Sequence, residues 1–553
     1  MTAPAVSATW QALLDHRRSL AGRSLVSLFD ADRERFARLS LAWDNWLADW
    51  SKQRLTTDTV RLLLAYARER NLEDWIAGLF AGEKLNLSEQ RPALHTALRQ
   101  PGDAPLVVDG ADVIPAIRAT QARMRSLAIQ LRGGLRLGAS GRPIRNVVHL
   151  GIGGSDLGPA LVCEALAGPR ASSRDGIEVG FVSNVDPEHL SRALAGLDPA
   201  TTLFIVTSKT FTTLETLRNA QSAREWLAAS LGGGPALAQH FLAVTANVEA
   251  ARAFGIAGAD VLPMWEWVGG RFSLWSAVGV SIAIRSGWDA FAALLAGAAS
   301  IDAHFRETPL ERNLPVLLAL VDCWNALALG HPQRVVVPYA HALGRFPAYL
   351  QQLALESNGK SVARDGGEIG LSAPAVWGGI GTDSQHAFFQ WLHQGTHVVP
   401  VEFVVPLRAA HPLGDQQSVL VANALAQAQA LMVGKPLAAV RAELAGKGTP
   451  SEHIDARAPH RVCPGDRPST TLLLPELDAR RLGQLLALYE HRTFVEGILY
   501  GVNPFDQWGV ELGKALAAPL LTALRDGGEI DGTDASTRGL VAHARAIMRV
   551  RPG

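Results

Sequence analysis

Apolar positions change their spacing along this chain in stages. Up to about residue 120 they recur at helical intervals. Trp43, Trp46, Leu47 and Trp50 form one set and Leu62, Leu63, Tyr66 and Ala67 another, each matching the 3.6-residue period of a helix that buries one face. The pattern predicts a mostly helical N-terminal region. Near Ile144 it changes: Asn146-Val-Val-His-Leu150, Gly180-Phe-Val-Ser183 and Leu203-Phe-Ile-Val-Thr207 are short apolar runs with helical stretches between them. Strand alternating with helix implies a parallel sheet closed by crossover helices. A second series begins near residue 310, with strands at Arg334–Pro338, Val398–Val405 and Thr471–Leu474 and a helix over Phe346–Asn358. The last forty residues read as helix, with Leu512, Ala515, Leu516 and Leu520 on one face.

The expected fold class is therefore α/β. A helical region covers 1–120, a first parallel-sheet subdomain 121–289, a second 290–510, and a C-terminal helical arm 511–553. No low-complexity linker separates these parts, so they are expected to pack as one body.

Composition narrows the function. With 553 residues, 48% hydrophobic and 19% charged, the chain is a folded protein of several domains rather than a disordered one. Lys+Arg and Asp+Glu both number 52, so there is no general attraction for nucleic acid or an anionic membrane. An anionic ligand needs a local site. The cysteines, Cys163, Cys323 and Cys463, are far apart, which suits a reducing cytoplasm and no cysteine metal site. The first ten residues lack a basic start followed by an apolar core, and no secretory signal is expected. The apolar run Leu274–Ile284 is too short to span a bilayer.

Two loops carry candidate chemistry. Gly151-Ile-Gly-Gly-Ser-Asp-Leu-Gly158 directly follows a strand, where glycines let backbone approach a ligand before a helix begins. A dinucleotide fingerprint requires its third glycine where Asp156 stands, so nicotinamide binding is disfavoured; a simple tight turn is the competing reading. Thr207-Ser-Lys-Thr-Phe-Thr-Thr-Leu-Glu-Thr216 also follows a strand. Hydroxyls and N–H groups at a helix start suit a phosphate dianion, with Ser208, Thr210 and Thr213 as side-chain donors. Lys209 is expected to contribute its main-chain N–H as much as its charge. A hydroxyl-rich helix cap is the alternative.

Weaker candidates follow. Asn358-Gly-Lys-Ser361 is not a nucleotide P-loop, because Ala354 stands where a glycine is needed and a helix precedes it. In that helix Pro347 suits the first turn, Gly359 suits the end, and Gln352 and Glu356 share a face. A glutamate in a last turn meets the negative end of the helix dipole, which suits a general base, although a solvated surface glutamate is the plainer reading. Gly381-Thr-Asp-Ser-Gln-His386 is expected to open a helix running to Gln394, with His386 in its first turn as a proton shuttle. His393 lies seven residues on, with no third ligand at a defined spacing, so no metal is expected. Gly269-Gly-Arg-Phe-Ser273 puts Arg271 where it can meet an oxyanion.

Taken together, these segments resemble the glucose-6-phosphate isomerase family over nearly the whole chain. The resemblance rests on Glu266-Trp-Val-Gly-Gly-Arg-Phe-Ser-Leu-Trp-Ser-Ala-Val-Gly279 and Gly497-Ile-Leu-Tyr-Gly-Val-Asn-Pro-Phe-Asp-Gln-Trp-Gly-Val-Glu-Leu-Gly-Lys514, with Gly82–Asn86, Gly151–Pro159, Phe181–Asp186, Ser208–Thr213, Arg345–Leu353, Glu356–Lys360 and Gln385-His386 in order between and around them. It implies two sugar-isomerase (SIS) type subdomains, each a parallel sheet with helices on both faces. It also implies a homodimer with shared active sites and reversible aldose–ketose isomerisation of a sugar phosphate without metal or cofactor, in glycolysis and gluconeogenesis in the cytoplasm. Glu356 would be the base between C2 and C1, and Arg271 would stabilise the enediolate. His386, from the neighbouring subunit, and Lys514 would assist ring opening. Gly154, Ser155, Gln352 and Gln507 match substrate contacts, and Ser208, Lys209, Thr210 and Thr213 the phosphate loop. Two other functions compete: additional action on mannose 6-phosphate, and non-catalytic sensing of sugar phosphates, which would need no base. No DNA-binding motif or basic patch is visible, and neither nucleic acid nor membrane is expected as a partner.

Overall fold

The computed structural model describes residues 7–167, 176–371, 373–411, 413–528, 530 and 532–548. The first six residues, part of the stretch read for a signal, and the last five, part of the predicted C-terminal arm, lie outside them. The chain divides into a large unit, Met1–Pro504, and a small one, Phe505–Gly553.

The large unit opens with helices and a hairpin of β1 (Ser40–Trp43) and β2 (Trp46–Asp49). This corrects the helical reading of Trp43, Trp46, Leu47 and Trp50. Spacings of three and four also arise when a two-residue turn folds one strand back on another. Here Asp44 and Asn45 both take left-handed φ, 44° and 63°, as a tight hairpin turn requires. Trp43 consequently faces Trp46 across the ladder. The second periodic set does form a helix, Thr57–Glu69, capped by a reciprocal Thr56–Thr59 box. A two-residue hairpin, β3 (Val107–Val108) and β4 (Ala111–Asp112), closes the N-terminal part.

The first large sheet contains β5 (Asn146–Leu150), β6 (Glu178–Val182), β7 (Thr202–Thr207), β8 (Phe241–Thr245) and β9 (Val261–Pro263). All neighbours are parallel, in the order β6-β5-β7-β8-β9. Val148, Phe204, Val206 and Phe241 pack one face against Ala220, Ala223 and Leu227 of helix Leu214–Leu231. The chain leaves β5 to one side for β6 and returns to the other for β7. The crevice between the C-terminal ends of β5 and β7 is therefore a topological switch point, where ligands bind in such sheets.

The second sheet adds β10 (Gln333–Pro338), β11 (Ala375–Gly378), β12 (Val401–Pro406) and β13 (Ser469–Leu474). These four run parallel, in the order β13-β12-β10-β11, and β2 then pairs antiparallel with β13, with β1 outermost. The supposedly helical N-terminal region thus supplies two strands to the second sheet.

Helix Ala479–Tyr500 is buried at every position from Arg481 onward. Two glycines let it touch helix Trp288–Glu307 backbone to backbone. A Cβ on Gly483 would stand 2.0 Å from the Leu294 carbonyl oxygen, and one on Gly297 would stand 1.9 Å from that of Arg480. The charges of the buried helix are paired. Arg99, with its side chain wholly buried, donates from Nε and Nη2 to Asp302 at 2.8 and 2.7 Å and from Nη1 to Glu490 at 2.5 Å. Trp275 Nε1 donates to Glu490 at 2.7 Å, and His491 Nε2 lies 2.6 Å from Asp302. Farther along, Arg492 and Arg334 share Asp322 and Glu496, and Arg492 reaches Glu402 of β12 at 2.7 Å. Burial alone would raise the Asp302 carboxyl, but Arg99 and the bond with His491 outweigh it and hold it below the usual carboxylate range.

Removing one partner of such a group strands the others in a dry interior. Asp302→Ala, which strips a two-point partner from Arg99 and the partner of His491, is expected to cost about 3–5 kcal/mol. Denaturant unfolding checks this, and a loss under about 1 kcal/mol would show the network to be dispensable.

Candidate active site

The glycine, hydroxyl and arginine loops leave the C-terminal ends of β5, β7 and β9, and the helix with Gln352 and Glu356 meets the first and third of them. After β5 the chain turns through Gly153, at φ 60°, into a short turn, Gly153–Ser155. His149 Nε2 lies 2.7 Å from the Ser155 carbonyl and braces the turn from below. Gly154 has no room for a side chain: a Cβ there would stand 2.1 Å from Gly270 C and 2.7 Å from Arg271 N. The glycine loop and the arginine loop are thus pressed together, and Ser273 Oγ adds a 3.3 Å bond to the Gly154 carbonyl.

Arg271 is buried, with 1% of its side chain exposed. Its Nε donates to Ser357 Oγ at 2.6 Å and its Nη2 to the Pro504 carbonyl at 2.7 Å. Nη1 lies 3.7 Å from Glu356 Oε2, whose side chain keeps 21% exposure. A fixed cation thus stands beside a carboxylate that solvent-borne ligands can still reach. The helix carrying Glu356 differs from the regular one expected: Phe346–Gln351 is α-helical, and Gln352–Glu356 is a π turn, a local widening often found at functional sites. Pro347 begins this helix, and Gly359 ends it by donating its N–H to the Leu355 carbonyl at 2.8 Å. Gln352 comes close to the glycine loop, since a Cβ on Gly153 would lie 3.0 Å from its Nε2. Gly154, Ser155, Arg271, Gln352 and Glu356 are therefore neighbours through these contacts.

The hydroxyl loop after β7 pairs its own side chains. Ser208 Oγ lies 2.9 Å from Thr213 Oγ1, and Thr210 Oγ1 lies 2.7 Å from Thr212 Oγ1. Thr213 immediately precedes helix Leu214–Leu231, so these hydroxyls surround a helix N-terminus suited to an anion.

Two histidine candidates of the large unit make none of these contacts. His386 lies in the short turn Asp383–His386, and the α-helix starts only at Phe389. The expectation of His386 in the first turn of a continuous helix is thus corrected. Gly381 packs so tightly on Tyr339 that a Cβ would stand 2.5 Å from its ring, and that contact sets the turn before the helix can begin. His386 is exposed, and among the described residues no hydrogen bond or ion pair joins it to Glu356 or Arg271. His393 Nε2 lies 2.9 Å from Gln427 Oε1. Gln507 and Lys514 belong to the small unit, where Lys514 pairs with Glu511 at 2.9 Å. Lys360, the lysine of the rejected P-loop, holds the Ser357 and Asn503 carbonyls at 2.6 and 2.5 Å. Sequence reasoning missed Ser357 and the Pro504 carbonyl as partners of Arg271. The only signal in the chain was a hydroxyl residue directly after Glu356. Among the described residues no three His, Cys, Asp or Glu side chains gather to hold a metal ion.

A carboxylate beside a buried guanidinium, with glycine and hydroxyl loops at the strand ends of parallel sheets, is an arrangement that suits the aldose–ketose isomerases acting on phosphosugars. Residues 49–541 match the family described as Phosphoglucose isomerase. Glucose-6-phosphate isomerase of Desulforapulum autotrophicum is 46% identical over 539 residues, 97% of each chain. That of Brucella ovis is 48% identical over 543 residues, 98% of each. A crystal structure of a glucose-6-phosphate isomerase from Chlamydia trachomatis superposes with a TM-score of 0.82 at 31% identity, covering 98% of this chain and 99% of that one. The chain belongs to the phosphoglucose isomerase family.

One group in the glycine loop titrates abnormally. Burial pushes the Asp156 carboxyl up from 3.8 to about 6, with Arg345 and His189 pulling it partly back. Between these values the folded chain holds a proton that the unfolded chain has released. Stability from this group therefore falls as pH rises from about 4 to about 6 and stays low above. Asp156→Asn removes the titration, so its stability relative to the parent is expected to improve by about 2 kcal/mol between about pH 4.5 and about pH 8. Melting of both proteins at the two pH values checks this; an equal difference at both would mean that Asp156 titrates normally.

Proposed function

We propose that the chain interconverts glucose 6-phosphate and fructose 6-phosphate. The observation that carries this reading is the pairing of Glu356 and Arg271 at 3.7 Å, beside a glycine loop and a hydroxyl loop at the switch point of a parallel sheet. In this reading the phosphate sits on Ser208, Thr210, Thr213 and the N–H of Lys209. It supplies binding energy away from the reacting carbons. Gly154, Ser155, Gln352 and Gln507 orient the sugar, and His386 and Lys514 move protons as the ring opens. Glu356 then takes the C2 proton of the aldose, and the electron pair left on C2 forms the C1–C2 double bond as the carbonyl pair moves onto O1. Arg271 faces the enediolate oxygen, where a preorganised cation is worth most in a dry site. Return of the proton to C1, with the C2 hydroxyl proton passing to O1, gives the ketose. Hydrogen and electrons move only within the substrate, so the reaction balances without an external oxidant.

The same reading makes the protein a homodimer, with His386 donated across the interface. The exposure of His386, apart from the Glu356–Arg271 pair, supports this. So do Trp508, Leu512, Leu516, Leu540, Ile547 and Met548 of the small unit, which are between 57% and 70% exposed, since such apolar groups commonly mark a docking surface. We also assign the enzyme to the cytoplasm: its three cysteines are free thiols, and among the described residues no helix is long and apolar enough to cross a membrane. The reading of two SIS-type subdomains with a boundary near residue 289 fits a first sheet ending at Pro263 and a second whose parallel strands start at Gln333.

Turnover of fructose 6-phosphate, read through a dehydrogenase specific for glucose 6-phosphate, tests the activity. Glu356→Gln is expected to lower kcat by about 10²–10⁴-fold with KM little changed. A rate near that of the parent would remove Glu356 as the base, and binding without turnover by the parent would favour the sensor. Mixed dimers of Glu356→Gln and His386→Ala chains are expected to regain activity that neither homodimer shows, since one of their two sites is complete. No recovery after confirmed subunit exchange would count against a shared site.

A further inference from the structure

Lys209 stands in the hydroxyl loop, but its ammonium is engaged elsewhere. Nζ donates to the carbonyl oxygens of Glu266 at 2.7 Å and Val268 at 3.2 Å, and it lies 3.4 Å from the Glu266 carboxylate. Those carbonyls belong to the segment that leads through Gly269 and Gly270 into Arg271. Bonds from an ammonium to two backbone oxygens are charge-assisted and stronger than neutral ones. Three quarters of the side chain is out of solvent. Burial draws the ammonium below its ordinary pKa, and the Glu266 carboxylate opposes that shift.

The root of the residue is fixed as well. The Lys209 carbonyl accepts from Ala246 N at 2.9 Å and Thr245 Oγ1 at 3.1 Å, and Ser208 N donates to the Val244 carbonyl at 3.1 Å. Lys209 is thus anchored to the end of β8 and spans to the loop that follows β9. The hydroxyls around it bond to one another, so they can turn to a phosphate without disturbing the ammonium. Were the ammonium to swing to the phosphate instead, it would abandon two carbonyls beside the arginine loop.

We propose that Lys209 is a positioning residue: its side chain straps the 265–270 segment to the phosphate loop and so sets the placement of Arg271. On this account its ammonium is not a phosphate ligand. This inference rests on the isomerase reading above. It links the phosphate site to the reacting carbons through two hydrogen bonds and the backbone that leads on to Arg271, which gives remote binding energy a route to the catalytic cation.

The test compares Lys209→Met, Lys209→Arg and Glu266→Gln with the parent, measuring kcat, KM for fructose 6-phosphate and inhibition by inorganic phosphate. Lys209→Met is expected to lose at least about tenfold in kcat, while KM and the phosphate inhibition constant stay within about threefold, because misplacing a catalytic group costs rate rather than phosphate affinity. Lys209→Arg, which can still bond both carbonyls, is expected to recover part of the rate. Glu266→Gln keeps the carbonyls and is expected to stay within about twofold of the parent in kcat. A tenfold or greater rise in the phosphate constant, whatever happens to kcat, would overturn the proposal by making the ammonium a ligand; an unchanged kcat in Lys209→Met would overturn it too. If Lys209→Met melts before assay, the phosphate constant of Lys209→Arg decides in the same way. No turnover by the parent would sink the isomerase reading, whereas loss of the strap alone appears only with an active parent.

Discussion

The geometry of the candidate site depends on one costly arrangement: a helix, Ala479–Tyr500, buried from Arg481 onward with its charges still on it. Isolated charges would be prohibitive there, so each is answered by a partner from a different part of the chain. Those partners include the segments that carry Arg271 and Glu356. Glu490 receives Trp275, four residues beyond Arg271, and the Thr493 carbonyl accepts from Asn358 at 2.9 Å, two residues beyond Glu356. The helix also lacks a side chain at Gly497, where a Cβ would stand 2.7 Å from Asn358 Oδ1 and 2.9 Å from Pro504 Cβ. Glu356 and Arg271 are therefore referenced to the same rod, and their separation follows from hydrogen bonds made on its buried faces. Losing either leaves a buried polar group without its partner.

Much of the architecture was legible in the chain because parallel strands buried on both faces read as short apolar runs. The strands at Asn146–Leu150, Thr202–Thr207 and Gln333–Pro338 are of this kind. Phe241–Thr245 is equally apolar yet drew no separate reading. The β1–β2 hairpin was misread because a two-residue turn reproduces helical spacings, and only the Asp44-Asn45 pair hinted at it. The loops of the candidate site were legible where composition is unusual, in the glycine, hydroxyl and Gly-Gly-Arg stretches. What joins them was not. Ser357 and Pro504 meet Arg271 across 86 and 233 residues, and no local pattern encodes a contact of that separation. The direction taken by the Lys209 ammonium was equally hidden, since its acceptors are backbone oxygens that any residue supplies.

The loops show how a plain fold becomes a specific site. The C-terminal ends of parallel strands already present N–H groups and helix starts. Small residues then decide how closely the loops approach. Gly154 lets the first loop touch the third, and Gly153 leaves space for Gln352. The π turn at Gln352–Glu356 presents a carboxylate at the end of its helix without giving up the helix itself.

The pairing of β2 with β13 has a consequence for how the chain is made. Asp49 finds its partner Thr471 only after everything between them has left the ribosome. At about 5–20 residues per second that interval is roughly 20–80 s. Throughout it the hairpin has no sheet to join, and its outward edge offers unpaired backbone groups to any neighbouring chain. The opening fifty residues are thus the earliest synthesised part of the second sheet and among the last to be secured, and the nascent chain is exposed to mispairing until most of its length has been translated.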